Sequence, residues 1–388
     1  MPPHCNLRHD ISIQTMKVHL FYTGWIAKDH KSFTTGGVQT YLINLASIFA
    51  EEGFDEFHYY RGSDVNNDTV IQGIHVHEIV CKAKRERIRI KKTFQHFKHL
   101  IDRERDIVLF ADDYLSTPAL DYHSLSIQHG IFWDIPEEKA GRSFAFFLGF
   151  IRKGIDAWKR MLHVKNVKLM VCVDYNFNNW FRAVFPASVV KTITIPNFTH
   201  ILSPVEKPAD RVNIVFARRF EKYRGTRVFG QAIQRILDEY TDVYVTLAGW
   251  GSDSTWLHAQ LDGYAHVEFT EYEGHESLQF HQDKHIAIVP TVGSEGTSLS
   301  LLEAMSAQCA VVASDVGGIT NILIDGFNGV MVPSGDSDQL YAAIKYLIDH
   351  PEERHRMADN AYRVVKESFS YEKWKSEWKQ IIQMVRKM

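Results

Sequence analysis

Residues 289–318 read VPTVGSEGTSLSLLEAMSAQCAVVASDVGG. The run IAIVP from Ile286 leads into this stretch as a strand, a turn of small residues follows, a helix begins near Thr297 or Ser298, and AVVAS from Ala310 is the next strand. The same pattern recurs outward along the chain. Short runs rich in β-branched and aromatic residues start at Val18 (VHLFYTG), Asp106 (DIVLF), Val167 (VKLMVCV), Val212 (VNIVFA) and Val243 (VYVTLAG), with helix-patterned stretches between them. Such alternation predicts an α/β fold, parallel sheets covered by helices on both faces in the doubly wound manner. Sheets of this kind take ligands at the carboxyl ends of their strands.

The chain has 388 residues, 45% hydrophobic and 23% charged, with 47 acidic against 44 basic side chains and a formal net charge of −3. This composition excludes a disordered or fibrous protein, and the near-neutral total gives no support for bulk binding of nucleic acid. The length suggests two domains, each able to bury its own core. Between Ile195 and Val212 the strand pattern pauses in IPNFTHILSPVEKPADR, which carries three prolines. A first domain over residues 1–200 and a second over 201–369 follow from that linker. The tail, residues 370–388, is an amphipathic helix with Tyr371, Trp374, Trp378, Ile381 and Ile382 on one stripe, and the first domain is a candidate for covering it. The N-terminal stretch shows no leader-like apolar run and no segment reaches about 18 uncharged apolar residues, so a cytoplasmic protein is expected. Cys5, Cys81, Cys172 and Cys309 lie far apart without CxxC spacing and are read as reduced thiols.

The turn before the predicted helix carries Gly296, Thr297 and Ser298, whose backbone N–H groups and positive dipole end suit a diphosphate. Glu295 and Glu303 flank that position, where carboxylates can accept hydrogen bonds from sugar hydroxyls. Alone, two glutamates at this spacing could be a capping residue and a surface residue. FARRFEKYRG, residues 216–225, adds Arg218, Arg219, Lys222 and Arg224 after another strand, and arginine grips phosphate oxygens in a fixed fork. The following strand ends in AGWG, where Gly249 and Gly251 permit close backbone approach. The acidic pair Asp112 and Asp113, the group Asp336 and Asp338, and His281 with His285 could suggest a metal, but a loop, a helix cap and packing histidines are the expected roles, and no metal site is predicted.

Taken together these residues resemble the retaining glycosyltransferases of the GT-B fold, family four (glycosyl transferases group 1). The two-glutamate signature is matched by Glu295 and Glu303 in SEGTSLSLLEAMS, the strand-end arginine with its later cation and glycine by Arg218, Arg224 and Gly225, and the glycine turn by Gly249 and Gly251. VVASDVGG and DGFNGVMVP match the closing segment. In the first domain GGVQTYLINLASIFAEEG resembles the glycine loop and first helix, with Gly36 and Gly37 in the loop; SIQHG resembles the strand-end histidine motif at His129, and IPNF the interdomain Pro196-Asn197. The chain departs from the pattern at Ala217, in one extra residue of the Arg218 loop, and at Gln308 with Ala310.

The resemblance implies two Rossmann-like domains facing a central cleft and retaining, metal-independent transfer of a sugar from a UDP-, GDP- or dTDP-sugar to a glycan or lipid-linked acceptor, in surface polysaccharide or glycolipid synthesis. The nucleotide sugar is a co-substrate and no resident cofactor is implied. Arg218 and Arg224 would neutralise the leaving diphosphate, Glu303 would hold the ribose, Glu295 would contact the donor sugar and His129 would line the cleft. A sugar-nucleotide epimerase or phosphorylase of the same fold, or a non-catalytic sugar-nucleotide-binding protein, is the alternative; a NAD-dependent dehydrogenase lacks its GxGxxG. Between Lys82 and Lys98 eight Lys or Arg oppose Glu86 alone, and SFAFFLGFIRKGIDAWKRMLHVKNVK sets aromatics beside Arg152, Lys153, Lys159 and Arg160. That charge is read either as a solvated helix face or as a surface for docking to an anionic membrane or to a phosphate-bearing acceptor.

Overall fold

A computed structural model describes residues 15–34, 36–131, 144–185, 191–272, 276–293 and 295–388. Cys5 lies outside the described residues.

The first sheet is built from β1 (Lys17–Phe21), β2 (Glu56–Ser63), β3 (Asn67–Ile71), β4 (Ile74–Val80), β5 (Ile107–Phe110), β6 (His123–Gln128), β7 (Leu169–Cys172) and β8 (Lys191–Thr194). Its order is β3-β4-β2-β1-β5-β6-β7-β8, and every described pairing is parallel except the edge pair β3 and β4. The crossovers are α1 (Gly37–Glu51), α2 (Glu86–Phe97), α3 (Phe144–Met161) and α4 (Tyr175–Val184). The central strands β5 and β7 are buried along their whole length, as parallel strands covered on both faces must be.

The second sheet orders β9 (Val212–Ala217), β10 (Val243–Ala248), β11 (Val267–Thr270), β12 (Ile286–Val289), β13 (Ala310–Ser314) and β14 (Val330–Val332) as β11-β10-β9-β12-β13-β14, all parallel. Its helices are α5 (Thr226–Glu239), α6 (Ser254–Leu261), α7 (Leu299–Ser306), α8 (Ser337–Asp349) and α9 (Pro351–Ser368). The order reverses between β9 and β12, so the ends of these two strands form the switch point at which a doubly wound sheet leaves a crevice.

The last helix, α10 (Tyr371–Val385), leaves the second domain and packs on α1 of the first. Trp374, Trp378, Ile381, Ile382 and Val385 are buried in the first domain's core with Tyr41, Leu45 and Phe49. The chain therefore crosses between its halves twice, through residues 195–211 and again at Ser370, where Thr199 and Ser370 form a bridge. Two crossings restrict how the halves move, because neither strand of the hinge can swing without the other.

Candidate active site

The cationic residues of the second domain meet at the switch point. Arg218, one residue past β9, is 7% exposed. Its Nη1 donates to Thr291 Oγ1 at 2.8 Å and its Nη2 to Glu295 Oε2 at 3.0 Å. Arg224 Nη1 donates to the same Glu295 oxygen at 2.5 Å, and Thr291 Oγ1 donates to it at 2.8 Å. Burial alone would raise the Glu295 carboxyl, but Arg218 and then Arg224 hold it below the usual glutamate range. It is therefore anionic at neutral pH. Two guanidiniums around one carboxylate leave a unit of uncompensated positive charge in a poorly solvated crevice, where charges act more strongly than in water.

Glu303 stands apart from this cluster. Ser277 Oγ donates to its Oε1 at 2.8 Å, and burial pushes its pKa up to about 7. It lies on the second turn of α7, which starts at Leu299, two residues later than the Thr297 predicted as one possible start. The reason is local: the Thr297 hydroxyl donates to the Val173 backbone carbonyl of the first domain and is not free to cap, and Ser298 occupies the cap position. Gly296, Thr297 and Ser298 thus form a connecting loop ahead of α7.

That loop is held by glycines on both sides. Gly225 has φ of +81°, and a Cβ there would stand 1.7 Å from the Pro290 carbonyl oxygen. Cβ atoms on Gly317 and Gly318 would stand 2.2 Å from Glu295 O and 2.4 Å from Gly296 O, while Gly318 N donates to Glu295 O at 2.8 Å. Only glycine lets these turns press against the backbone that carries Glu295. Gly249 and Gly251 do the same for the arginine loop, since their Cβ positions fall 2.2 Å from Arg218 O and 2.3 Å from Phe220 O. The close approach they permit is to the chain's own backbone.

The first domain meets this loop directly. Gly296 lies against the backbone oxygen of His129, 3.0 Å from where its Cβ would be, Asn197 Nδ2 donates to Thr297 O at 2.9 Å, and Gly37 lies against Leu299. Gly36 caps α1 just before Gly37. His129 follows β6 and bonds the Ala111 backbone; burial pushes its pKa down to about 4, against a weaker upward pull from that bond. Its Nε2 has no hydrogen-bond partner among the described residues. The ring edge meets Tyr41 at 5.4 Å, and Tyr41 OH accepts from Trp378 Nε1 of α10 at 2.8 Å. With its one proton given to the Ala111 backbone, the neutral imidazole leaves Nε2 to accept from a hydroxyl without charging the site.

Thr291, Ser277 and Tyr41 were absent from the sequence-based set. Thr291 alone had a local signal, as a hydroxyl four residues ahead of Glu295 at a strand end. Of the remaining candidates, Arg219 sits over the Trp250 ring at 5.6 Å, and Lys222 opens the short turn that ends at Arg224. Asp112 accepts from Tyr114 N, and Asp336 accepts from Asp338 N and Gln339 N to cap α8. His281 and His285 bond Ser277 O and Asn213 N. Among the described residues no group of three or more His, Cys, Asp or Glu is placed to hold a metal ion. A cavity of about 490 Å³ lined by Lys207, His285 and Arg354 opens at the opposite ends of β9, β12 and β13, and Arg218, Arg224, Glu295 and Glu303 are not among its lining residues.

Residues 211–350 match the family described as glycosyl transferases group 1. Over 160 residues the chain is 26% identical to a phosphatidyl-myo-inositol mannosyltransferase of Mycolicibacterium smegmatis, covering 39% of this chain and 42% of that relative. The match spans less than half the length of this relative and of an uncharacterized glycosyltransferase of Methanocaldococcus jannaschii. Among solved structures it is similar to sucrose-phosphate synthase from Thermosynechococcus elongatus, with a TM-score of 0.70 at 16% identity over 95% of this chain and 99% of that one. Anabaena HepE in complex with UDP-glucose gives a TM-score of 0.67 at 15% identity over 95% and 99%. At such identities the two structures speak for the fold alone. The second-domain sequence over residues 211–350 thus matches the group 1 glycosyl transferases, and the two Rossmann-like sheets have the GT-B fold.

Proposed function

We propose that this protein is a retaining, metal-independent glycosyltransferase that moves a sugar from a nucleotide sugar to a hydroxyl of a glycan or lipid-linked acceptor. The observation that carries the reading is the pair of arginines converging on Glu295 at the switch point of the second sheet. An excess of one positive charge there favours the leaving diphosphate, where negative charge develops as the C1–O bond to phosphate breaks. Arg218 and Arg224 take the diphosphate, Glu303 the ribose hydroxyls and Glu295 the donor sugar. His129 orients a sugar hydroxyl from the first domain. The acceptor oxygen forms the new bond to C1 on the face the diphosphate leaves, and its proton passes to a phosphate oxygen.

The first domain, residues 1–200, serves the acceptor and the second, residues 201–369, the donor, with residues 370–388 tying them together. Gly36, Gly37, Gly249, Gly251, Gly296, Thr297 and Ser298 shape the nucleotide-sugar pocket. The UDP-glucose bound to the similar Anabaena protein supports a nucleotide-sugar donor, and the mycobacterial mannosyltransferase supports a lipid-linked acceptor. The protein works in the cytoplasm, at the membrane face when its acceptor is a lipid.

Incubation of the purified chain with UDP-, GDP- and dTDP-sugars and a set of saccharide and glycolipid acceptors tests the reading. Transfer from at least one donor is expected. Turnover of the sugar nucleotide without acceptor, or a requirement for free phosphate, would instead give an epimerase or a phosphorylase, and donor binding without turnover a binding protein.

A further inference from the structure

The helix α3 is laid on the first domain with its apolar stripe outward. Phe147, Leu148, Phe150, Ile151, Ile155 and Trp158 are all exposed, Phe150 at 70%. The half-buried positions are Gly149, Lys153, Ala157 and Arg160, which share the other side of the helix. Arg160 lies over the Tyr114 ring at 4.3 Å, so a cation makes the inward contact that an apolar residue makes in an ordinary surface helix. The sequence does not lack apolar residues here; among the described large apolar side chains of the helix only Met161, its last residue, is buried, and apart from the contact of Trp158 with Phe185 at 5.2 Å the stripe faces away from the core. A run of six exposed large side chains on one helix is beyond what scattered surface hydrophobics produce and marks an interaction face.

The charges around the stripe decide what covers it. Arg152 and Lys159 are exposed one turn after Leu148 and Ile155, at the margin of the stripe. Basic α2 lies close by, because Arg87 near its start and Arg160 both act on His163. Arg85, Arg87, Lys91 and Lys92 are exposed there. A second copy docking on this face would bring cations against cations, whereas an anionic bilayer neutralises them while the stripe enters the headgroup layer. No helix among the described residues is long and apolar enough to cross a membrane. Arg160 also acts on Asp112, just past the end of β5, so the helix runs beside the strand ends of the first domain.

From this geometry we infer that α3 is an interfacial docking helix, which seats the first domain on an anionic lipid surface with its strand-end rim towards the lipid. The inference extends the lipid-linked acceptor proposed above, yet its test does not pass through donor chemistry. Full-length protein is sedimented with vesicles of phosphatidylcholine alone and with vesicles of equal parts phosphatidylcholine and phosphatidylglycerol. Binding to the mixed vesicles is expected, weakened by added salt but not abolished, because the apolar contact is insensitive to screening. The double variant Phe150→Ser/Ile155→Ser, which leaves the donor pocket untouched, should bind at least ~10-fold more weakly, since it removes buried apolar area. Thermal unfolding of the variant, with and without the donor nucleotide, reports that its fold is intact. Equal binding by variant and native protein, or no preference for phosphatidylglycerol, overturns the inference. So does a concentration-dependent dimer that the double variant loses, because a second copy would then cover the stripe.

Discussion

Arg218 Nη2 lies 3.0 Å from Glu295 Oε2, with the two side chains only 5% and 8% exposed. A pair so removed from water is stable only while both partners are present: removing one leaves the other's desolvation cost unopposed. Glu295→Ala leaves Arg218 and Arg224 facing each other with no anion between them. We expect a loss of about 3–5 kcal/mol on chemical denaturation. Transfer should fall at least ~100-fold, the scale of a lost transition-state contact. Arg218→Ala should show the same fall in transfer. Near-native turnover in either variant would remove these residues from the reaction.

Gly225 is the next test, because its substitution touches no charge. An alanine Cβ would stand 1.7 Å from Pro290 O at a φ of +81°, so the turn after Arg224 or the loop carrying Glu295 must shift. Gly225→Ala is expected to lower nucleotide affinity and turnover together, with the Arg224 contact to Glu295 broken. Gly263→Ala, where nothing lies within 4 Å, is the control and should change neither. Isothermal titration with the donor nucleotide reads both.

The runs VNIVFA and AVVAS coincide residue for residue with β9 and β13, because strands buried on both faces are nearly continuously apolar, here interrupted only by Asn213 and Ser314. Other strands were hidden by their chemistry. In β2 and β4 the residues His58, Arg61, His75, His77 and Glu78 break any apolar run. They are tolerated because they satisfy one another: His19, His58 and His75 stack across three strands, and Arg61 and His30 bond Glu78. No local pattern announces a polar network closed by partners 17 to 48 residues away. The same holds at the site. The types of Arg218, Arg224 and Glu295 were readable, whereas Thr291 joins them only because the sheet sets the end of β12 beside that of β9.

Tyr41 links the last helix to His129. Its hydroxyl accepts from Trp378 Nε1, and its ring packs on the imidazole. Trp378→Ala should cost about 3–5 kcal/mol, the scale for a fully buried large aromatic. Tyr41→Phe leaves the indole N–H without its acceptor and should cost about 1–3 kcal/mol. If α10 positions His129, Tyr41→Phe also shifts KM for the acceptor more than KM for the donor. A purely structural role would lower stability and leave both constants unchanged.

Acid should destabilise the fold. His58, His129, His163, His281 and His285 all have burial as the largest cause of a pKa pushed from 6.5 to about 4. The unfolded chain therefore takes up protons on five rings between those limits that the folded chain refuses, so stability is full above about pH 6.5 and is lost as pH falls towards 4. Raised carboxyls at Asp112, Asp113, Glu303 and Glu377 act in the opposite direction, but they are four against five. Urea midpoints measured from pH 7.5 to 4.5 should decline, and a flat profile would show that these rings are protonated in the folded chain.

Glu303 gives a prediction that stability measurements would miss. Burial raises its pKa to about 7, with Ser277 pulling it down less strongly, so in the empty site at neutral pH the carboxyl is protonated about half the time. Two ribose hydroxyls donating to it would stabilise the anion and lower that pKa. Binding of the nucleotide should then release protons below about pH 7.5, and affinity should rise as pH is raised from 5.5 to 7.5. Titration calorimetry in buffers of different ionisation enthalpy measures the proton count directly. Glu303→Gln keeps the shape and one acceptor oxygen but cannot ionise, so it should bind more weakly and lose the proton release. Release that persists in the variant would have to come from another group, the nucleotide phosphate included, and would take the ribose contact away from Glu303.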